Sequence, residues 1–310
     1  MLKSHDVTAF TLMTYSIVAL HAEAGEIGAA AATCWPAVGA AVPWLEPGVG
    51  AVVTQAFTER SHGPQGLRLL RAGRSAPEVV ERLLAGDGGR ASRQLGVLDA
   101  AGGSAAHTGS QCVAEAGHVC EPGVSVQANM LERPGVWQAM LAAFRDTDGD
   151  LAARLLGALR AADDAGGDIR GRRSAALVVA ANDPHQPPWA RRFDLRVDAS
   201  EQPLDELAAA LDVARAYEAI STAIDAAKKG NSDQAIEETE RARALAPDDA
   251  QILFWHALVL AANDREADAR PVFERAIAEE PRLIEFGRRY MRAGHGANLA
   301  ESLRRLGRLD

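Results

Sequence analysis

Cysteine is scarce in this chain. The three present, Cys34, Cys112 and Cys120, form no C-x-x-C pair. An odd count without such pairs argues against a disulfide framework or a zinc ribbon. Cys112 and Cys120 are near enough in sequence to meet across a hairpin, although buried free thiols suit the pattern better. Aromatic residues make up only 5% of the chain, so alanine and glycine must fill much of the core by close backbone packing. There is no block of lysine and arginine, and the net charge of −9 disfavours nonspecific nucleic-acid binding. No uninterrupted apolar run reaches the roughly 18 residues of a membrane span.

Several catalytic signatures are missing too. The sequence has no H-E-x-x-H and no histidine pair at ligand spacing, so it predicts no metal site. It has no Walker loop, no G-x-G-x-x-G and no G-x-S-x-G elbow. The Asp146-Thr147-Asp148-Gly149-Asp150 cluster lacks the glutamate that a calcium loop needs, since position 155 is leucine. It reads instead as a helix-breaking turn.

What is present suffices for two domains: 310 residues, 47% of them apolar and 24% charged. The start of the chain imitates a signal peptide, with Lys3, an apolar stretch from Val7 to Leu20 and Ala22-Glu23-Ala24. Thr8, Thr11, Thr14, Tyr15 and Ser16 interrupt that stretch, and His5-Asp6 spoil its basic end. The expectation is therefore a cytoplasmic protein with a short extension over 1–12, a first domain over 13–200 and a helical domain over 201–310.

Within the first domain, Tyr15–Leu20 and Ile27–Thr33 read as a strand hairpin around Ala24-Gly25-Glu26. Gly48–Ala56 is a further buried strand. Gln94–Asp99 and Ser104–Thr108 form another hairpin, and His118–Val126 continues the strands. Ser174–Ala181 and Arg192–Val197 close the domain. Helices are expected at Gly63–Ala72, Pro77–Leu84, Pro134–Phe144 and Leu151–Ala162. The second of these opens with a capping box, Ser75 and Glu78. Runs of strands alternating with helix pairs suit an α+β fold of two antiparallel layers with helices outside, not an alternating parallel sheet.

From Leu204 onward the pattern is nearly all helix. Pro247 and Pro281 lie 34 residues apart, as do Ala223 and Ala257, Ala235 and Ala269, and Ala242 and Ala276. Over about 216–282 the chain resembles the tetratricopeptide repeat family. Gly230 sits at the first hairpin turn, and Phe273 is the large packing residue of the second unit. The first unit departs from the pattern at Thr239 and Ala226, and Leu283–Leu309 can supply a capping helix pair. The resemblance implies a protein partner for residues 201–310. Packing against the first domain, or a homo-oligomer contact, is the competing use of these alanine-rich helices.

A second resemblance covers residues 13 to about 198. It rests on TYSIVA at 14–19, GEIGAAAAT at 25–33, AVGAAVPW at 37–44, GVGAVVTQ at 48–55, RQLGVLDAAG at 93–102 and HTGSQC at 107–112. It continues through AGH at 116–118, QANML at 127–131 and AGGDIRGRRSAAL at 165–177. In that order these segments resemble the domain-of-unknown-function 1028 family, assigned to the N-terminal-nucleophile hydrolase-like fold. The resemblance implies an αββα sandwich and places Thr14 where that wider fold carries its nucleophile. A terminal threonine has a free α-amine beside its own hydroxyl and needs no separate base. Thr14 can play this part only if the Met13–Thr14 bond is absent, through initiation at Met13 or through cleavage.

Other residues follow as expectations. Asp168 and Arg170, after two glycines, either anchor the α-amine and a substrate carboxylate or form an internal ion pair that fixes a turn. Asn129 can donate its amide to an oxyanion or cap a turn. Thr33 ends its strand beside the same cleft. His118 is a candidate acid–base group, with His107 and Gln55 weaker candidates of the same kind. The expected function is hydrolysis of a small-molecule amide or related C–N bond without a cofactor. The rival is a non-catalytic sandwich that presents its helical tail to a protein.

Overall fold

The computed structural model describes residues 11–12, 14–293 and 297–307. The rest of the 1–12 extension, and Met13, lie outside the described residues. The chain divides into two compact units, one ending at Ala209 and the other starting at Ala210.

The first unit contains β1 (Thr11–Leu12), β2 (Tyr15–His21), β3 (Glu26–Thr33), β4 (Pro43–Glu46), β5 (Gly50–Phe57), α1 (His62–Arg71) and α2 (Ala76–Ala85). It continues with β6 (Arg93–Asp99), β7 (Ser104–Thr108), β8 (Gly117–Glu121), β9 (Val124–Ala128), α3 (Val136–Asp146), α4 (Leu151–Asp164), β10 (Ser174–Ala181) and β11 (Phe193–Val197). One sheet runs β1-β5-β6-β7, with β4 also on β5. The other runs β11-β10-β3-β2-β9-β8. Every strand pairing in both is antiparallel.

The sheets pack face to face through small and branched residues, among them Val18, Ala29, Ala31, Val53, Leu98 and Val178. Helices α1 and α2 cover the outer face of the first sheet, with Leu67, Leu70, Val79 and Leu83 against Val52, Leu95 and Val97. Helices α3 and α4 pack on β2, β3 and β9 of the second. The result is four layers: helices, sheet, sheet, helices. As the capping box predicts, α2 opens with the Glu78 carboxylate accepting the Ser75 backbone N–H at 2.9 Å.

Two features depart from the sequence reading. The strand expected over 118–126 is two strands, because Pro122-Gly123 turns the chain with Gly123 at φ +82°. The short strand β4 was not anticipated. It opens on a proline and pairs only with β5, as an edge strand tolerates.

The second unit is helical. Its elements are α5 (Pro203–Lys228), which begins before the boundary, α6 (Ser232–Leu245), α7 (Ala250–Ala262), α8 (Glu266–Glu279), α9 (Arg282–Arg292) and α10 (Ala297–Arg305). Helices α6 and α8 start and end 34 positions apart, 232 to 266 and 245 to 279. The turns before them repeat as well, with left-handed backbone at Gly230 (φ +76°) and Asp264 (φ +58°). Ala246 and Glu280, which end the two helices, share nearly the same backbone angles. Phe273 is buried and stacks at 5.8 Å on Phe254. Thr239, at the position where a large residue was expected, is buried too, and its hydroxyl meets His256 Nδ1 at 2.9 Å. None of the described helices is long and apolar enough to cross a membrane.

Candidate active site

Thr14 stands immediately before β2, a strand flanked on both sides by other strands. Tyr15 pairs with Ala32 of β3 and with Ala128 of β9. One step back, Thr14 therefore lies between Thr33 and Asn129. Alternation along the strand turns Thr14 and Ser16 toward the other sheet and Tyr15 toward the helices.

The Thr14 carbonyl is held by three donors. Gln55 Nε2 reaches it at 2.9 Å, Asn129 Nδ2 at 3.2 Å and the Asn129 backbone N–H at 3.3 Å. The hydroxyl is treated differently. Thr14 is only 1% exposed, and its Oγ has no hydrogen-bond partner among the described residues. Such an unpaired buried hydroxyl costs about 1–3 kcal/mol.

Below Thr14, the two sheets are joined by a seam of buried amides. Gln94 Oε1 accepts from Gln55 Nε2 at 2.7 Å and from Asn129 Nδ2 at 2.8 Å. Its amide nitrogen donates to the Ala128 carbonyl at 2.9 Å and to Thr108 Oγ at 2.8 Å. Gln127 donates to the Ser16 hydroxyl at 2.8 Å and carbonyl at 2.9 Å, and accepts from Ser125 at 2.9 Å. Ser16 Oγ in turn donates to Gln55 Oε1 at 2.5 Å. Space for this seam comes from Gly96, where a Cβ would stand 2.1 Å from Gln127 Oε1. Each amide offers both donors and an acceptor, so a neutral network satisfies the interior without burying charge.

The remaining candidates divide around this frame. Thr33 is fully buried, and its hydroxyl accepts the Trp35 N–H at 3.4 Å. Gln55, expected at the substrate, is fully buried and bonded within the seam. The amide N–H groups of Asn129 are already spent on Thr14 and Gln94, which leaves none for an oxyanion; its Oδ1 is the atom without a partner. Both residues therefore hold the Thr14 backbone carbonyl.

Asp168 has a nearly buried carboxylate. It accepts the Cys34 backbone N–H at 3.1 Å and the Arg170 backbone N–H at 2.9 Å, with Arg170 Nε at 3.5 Å. This is the internal ion pair that fixes a turn. Among the described residues, no hydrogen bond or ion pair of Asp168 reaches Thr14. Its carboxylate acts on its surroundings, because burial and then Asp168 push the Cys34 thiol up to about 12. Burial and then Asp163 raise the Tyr15 phenol on the helix-facing side. The three cysteines are free thiols, partly buried.

His118 lies on β8, where its Nδ1 meets Thr108 Oγ at 2.8 Å. Burial, then His107, lowers its pKa, so it is neutral at pH 7. Through Thr108 and Gln94 it is joined to the seam, two side chains away from the Thr14 carbonyl's donors. His107 turns elsewhere and bonds the Arg90 carbonyl at 2.9 Å.

Sequence reasoning missed Gln94, Gln127 and Ser16. A signal was available: single amides at 55, 94 and 127 stand inside strands rich in Val, Leu, Ala and Gly. An amide in such a strand has to find partners across the fold.

Residues 14–207 match the family model described as a family of unknown function, DUF1028. The match begins at Thr14. A solved structure, protein SPO2555 from Silicibacter pomeroyi, carries the same family assignment. It is 36% identical, with a TM-score of 0.57 over 63% of this chain and 86% of that one. No curated protein matches the chain.

Proposed function

The chain belongs to the DUF1028 family, and from that premise we propose an amidohydrolase of the N-terminal-nucleophile type. Thr14 is its nucleophile and a small-molecule amide, or a related C–N compound, its substrate. The observation that carries this reading is the unpaired, buried hydroxyl of Thr14, at the residue where the family match begins. A fold that leaves this hydroxyl unpaired, beside the unpaired Oδ1 of Asn129, keeps polar groups there at a cost, as functional sites do. The layered order of helices and sheets supports the N-terminal-nucleophile form of the α+β fold.

The chemistry requires the bond before Thr14 to be open. The hydroxyl oxygen then attacks the amide carbonyl carbon while its proton passes to the α-amine. The C–N bond breaks and the leaving nitrogen takes that proton. Water hydrolyses the ester left on Thr14, releasing the acid and restoring the hydroxyl. No cofactor enters these steps. Gln55 and Asn129 hold the Thr14 backbone at the attack geometry. Arg170, half-exposed, keeps N–H groups for a substrate carboxylate.

A panel of small amides tests the assignment. Wild type and Thr14→Ser hydrolyse at least one of them, and Thr14→Ala does not, with unchanged circular dichroism. Undiminished turnover by Thr14→Ala would refute it.

The helical unit reads as tetratricopeptide-like, supported by the 34-residue repeat of helix ends and turn geometry. The rival use of the chain, a non-catalytic sandwich presenting this unit to a protein, predicts no hydrolysis anywhere in the panel.

A further inference from the structure

A second candidate site lies on the first unit, and no residue placed around Thr14 lines it. Strand β4, helix α1, strands β10 and β11 and the loop at 188–191 enclose an open cleft of about 710 Å³. That volume suits a small organic ligand. Four arginines face it, Arg68, Arg71, Arg191 and Arg196, against two carboxylates, Glu46 and Asp194. In a chain of net charge −9, this is a local excess of positive charge.

The pairing within the cleft decides which arginines are available. Arg71 is paired to Glu46, and Arg196 Nε lies 3.3 Å from Asp194. The Arg68 side chain has no ion pair or hydrogen bond among the described residues. Arg191 has no ion-pair partner among the described residues either, although Asp194 and Glu46 act on it at longer range. Its guanidinium donates to the carbonyls of Pro188 and Ala190, each at 2.8 Å, and to that of Leu45. Those bonds fix the group in place and leave N–H donors unspent.

The cleft is also shaped. A Cβ on Gly39 would stand 2.8 Å from Arg196 Cδ, so only glycine lets that arginine's stem lie across the 38–40 turn. Gly63 does the same for Trp44, whose ring lies flat on α1. Trp44 and Pro188 give the cleft an apolar floor, and the neighbouring Trp189 is 80% exposed. Two arginines without an ion-pair partner among the described residues, beside an indole, match a planar body that carries negative charge.

We propose that this cleft binds a small planar organic dianion, its charged groups on Arg68 and Arg191 and its flat face on Trp44. The site is independent of Thr14, so its failure leaves the hydrolase reading untouched.

Calorimetric titration of the full chain tests it with four probes: phenyl phosphate, phthalate, inorganic phosphate and benzyl alcohol. Phenyl phosphate or phthalate binds in the submillimolar range. Inorganic phosphate binds at least about tenfold more weakly, because it lacks the ring, and benzyl alcohol shows no binding. Arg68→Glu, on the solvent side of α1, weakens the aromatic anion at least about tenfold. Glu46→Gln, which releases Arg71, tightens it. Saturation by neither aromatic anion at about 10 mM (about ten times the submillimolar bound) overturns the proposal. So does equal affinity for inorganic phosphate, or affinity unchanged in Arg68→Glu.

Discussion

Beside a few buried ionisable groups such as His62 and Asp168, the sandwich buries an amide network that has no counterpart among the described residues of the helical unit. The sandwich buries neutral amides, Gln55, Gln94, Gln127 and Asn129, each bonded to several partners. Among the described residues, the helical unit buries one titratable group, His256, against the Thr239 hydroxyl. An amide network cannot gain or lose protons in the working pH range, so it holds its geometry against changes in solution. A buried histidine does so only while it stays neutral. The contrast also marks Thr14, whose buried hydroxyl has no partner among the described residues and lies beside the unpaired Oδ1 of Asn129. The seam is built for constancy, and the hydroxyl it leaves unpaired is the one the proposed chemistry uses.

Substitutions at Thr14 probe that contrast most strongly. Thr14→Val keeps the shape of the side chain and removes the unpaired oxygen. Amide hydrolysis should fall by at least about 10³-fold, since the nucleophile itself is gone. Steady-state kinetics on a hydrolysed amide from the panel measures this directly.

The seam should resist substitution far less well than its neutral chemistry suggests. Gln94→Leu leaves the donors of Gln55 and Asn129 without their shared acceptor, and the Ala128 carbonyl without a donor. We expect a loss of about 2–4 kcal/mol in urea unfolding of the sandwich. A loss under about 0.5 kcal/mol would mean that the seam is not a cooperative network.

Acid should weaken the helical unit through His256. Burial, then Arg243, lowers the His256 pKa to about 4 from its ordinary 6.5. Between those values the unfolded chain binds the proton and the folded one does not. Stability of the helical unit is therefore complete above about pH 6.5 and declines as the pH falls toward 4. The size should be on the order of 1–3 kcal/mol. Unfolding curves at pH 7.5 and pH 5, for wild type and His256→Gln, check it. The wild-type decline should be larger than that of the variant. Identical declines would remove His256 as the cause.

The smallest effect carries the sharpest distinction. If Thr14 were there for packing, Thr14→Val would be neutral at best. If its hydroxyl is kept unpaired for chemistry, the same change should raise stability by about 0–1 kcal/mol while abolishing turnover. A clear loss of stability would assign the hydroxyl a structural bond.

Much of the architecture was legible because local signals agreed with the fold. The run of TYSIVAL and EIGAAAAT with a glycine turn between them could form little but a buried hairpin. Ser75 and Glu78 marked the start of α2 by chemistry that is complete within four residues. The break at Pro122-Gly123 was overlooked because the apolar residues on either side read as one run. The candidate site was legible only in part. Thr14, Thr33 and Asn129 do come together at one end of the second sheet. Gln94 and Gln127 stayed hidden because no motif marks an amide whose partners lie across two sheets. The arginine cleft was invisible for the same reason, since Arg68 and Arg191 meet only through tertiary packing.

The most direct test of the Thr14 assignment is the intact mass of the purified, active protein, read beside its turnover per mole of chain. A nucleophile of this kind predicts that amide hydrolysis belongs to chains whose first residue is Thr14. Equal hydrolysis by chains that still carry residue 13 would contradict it.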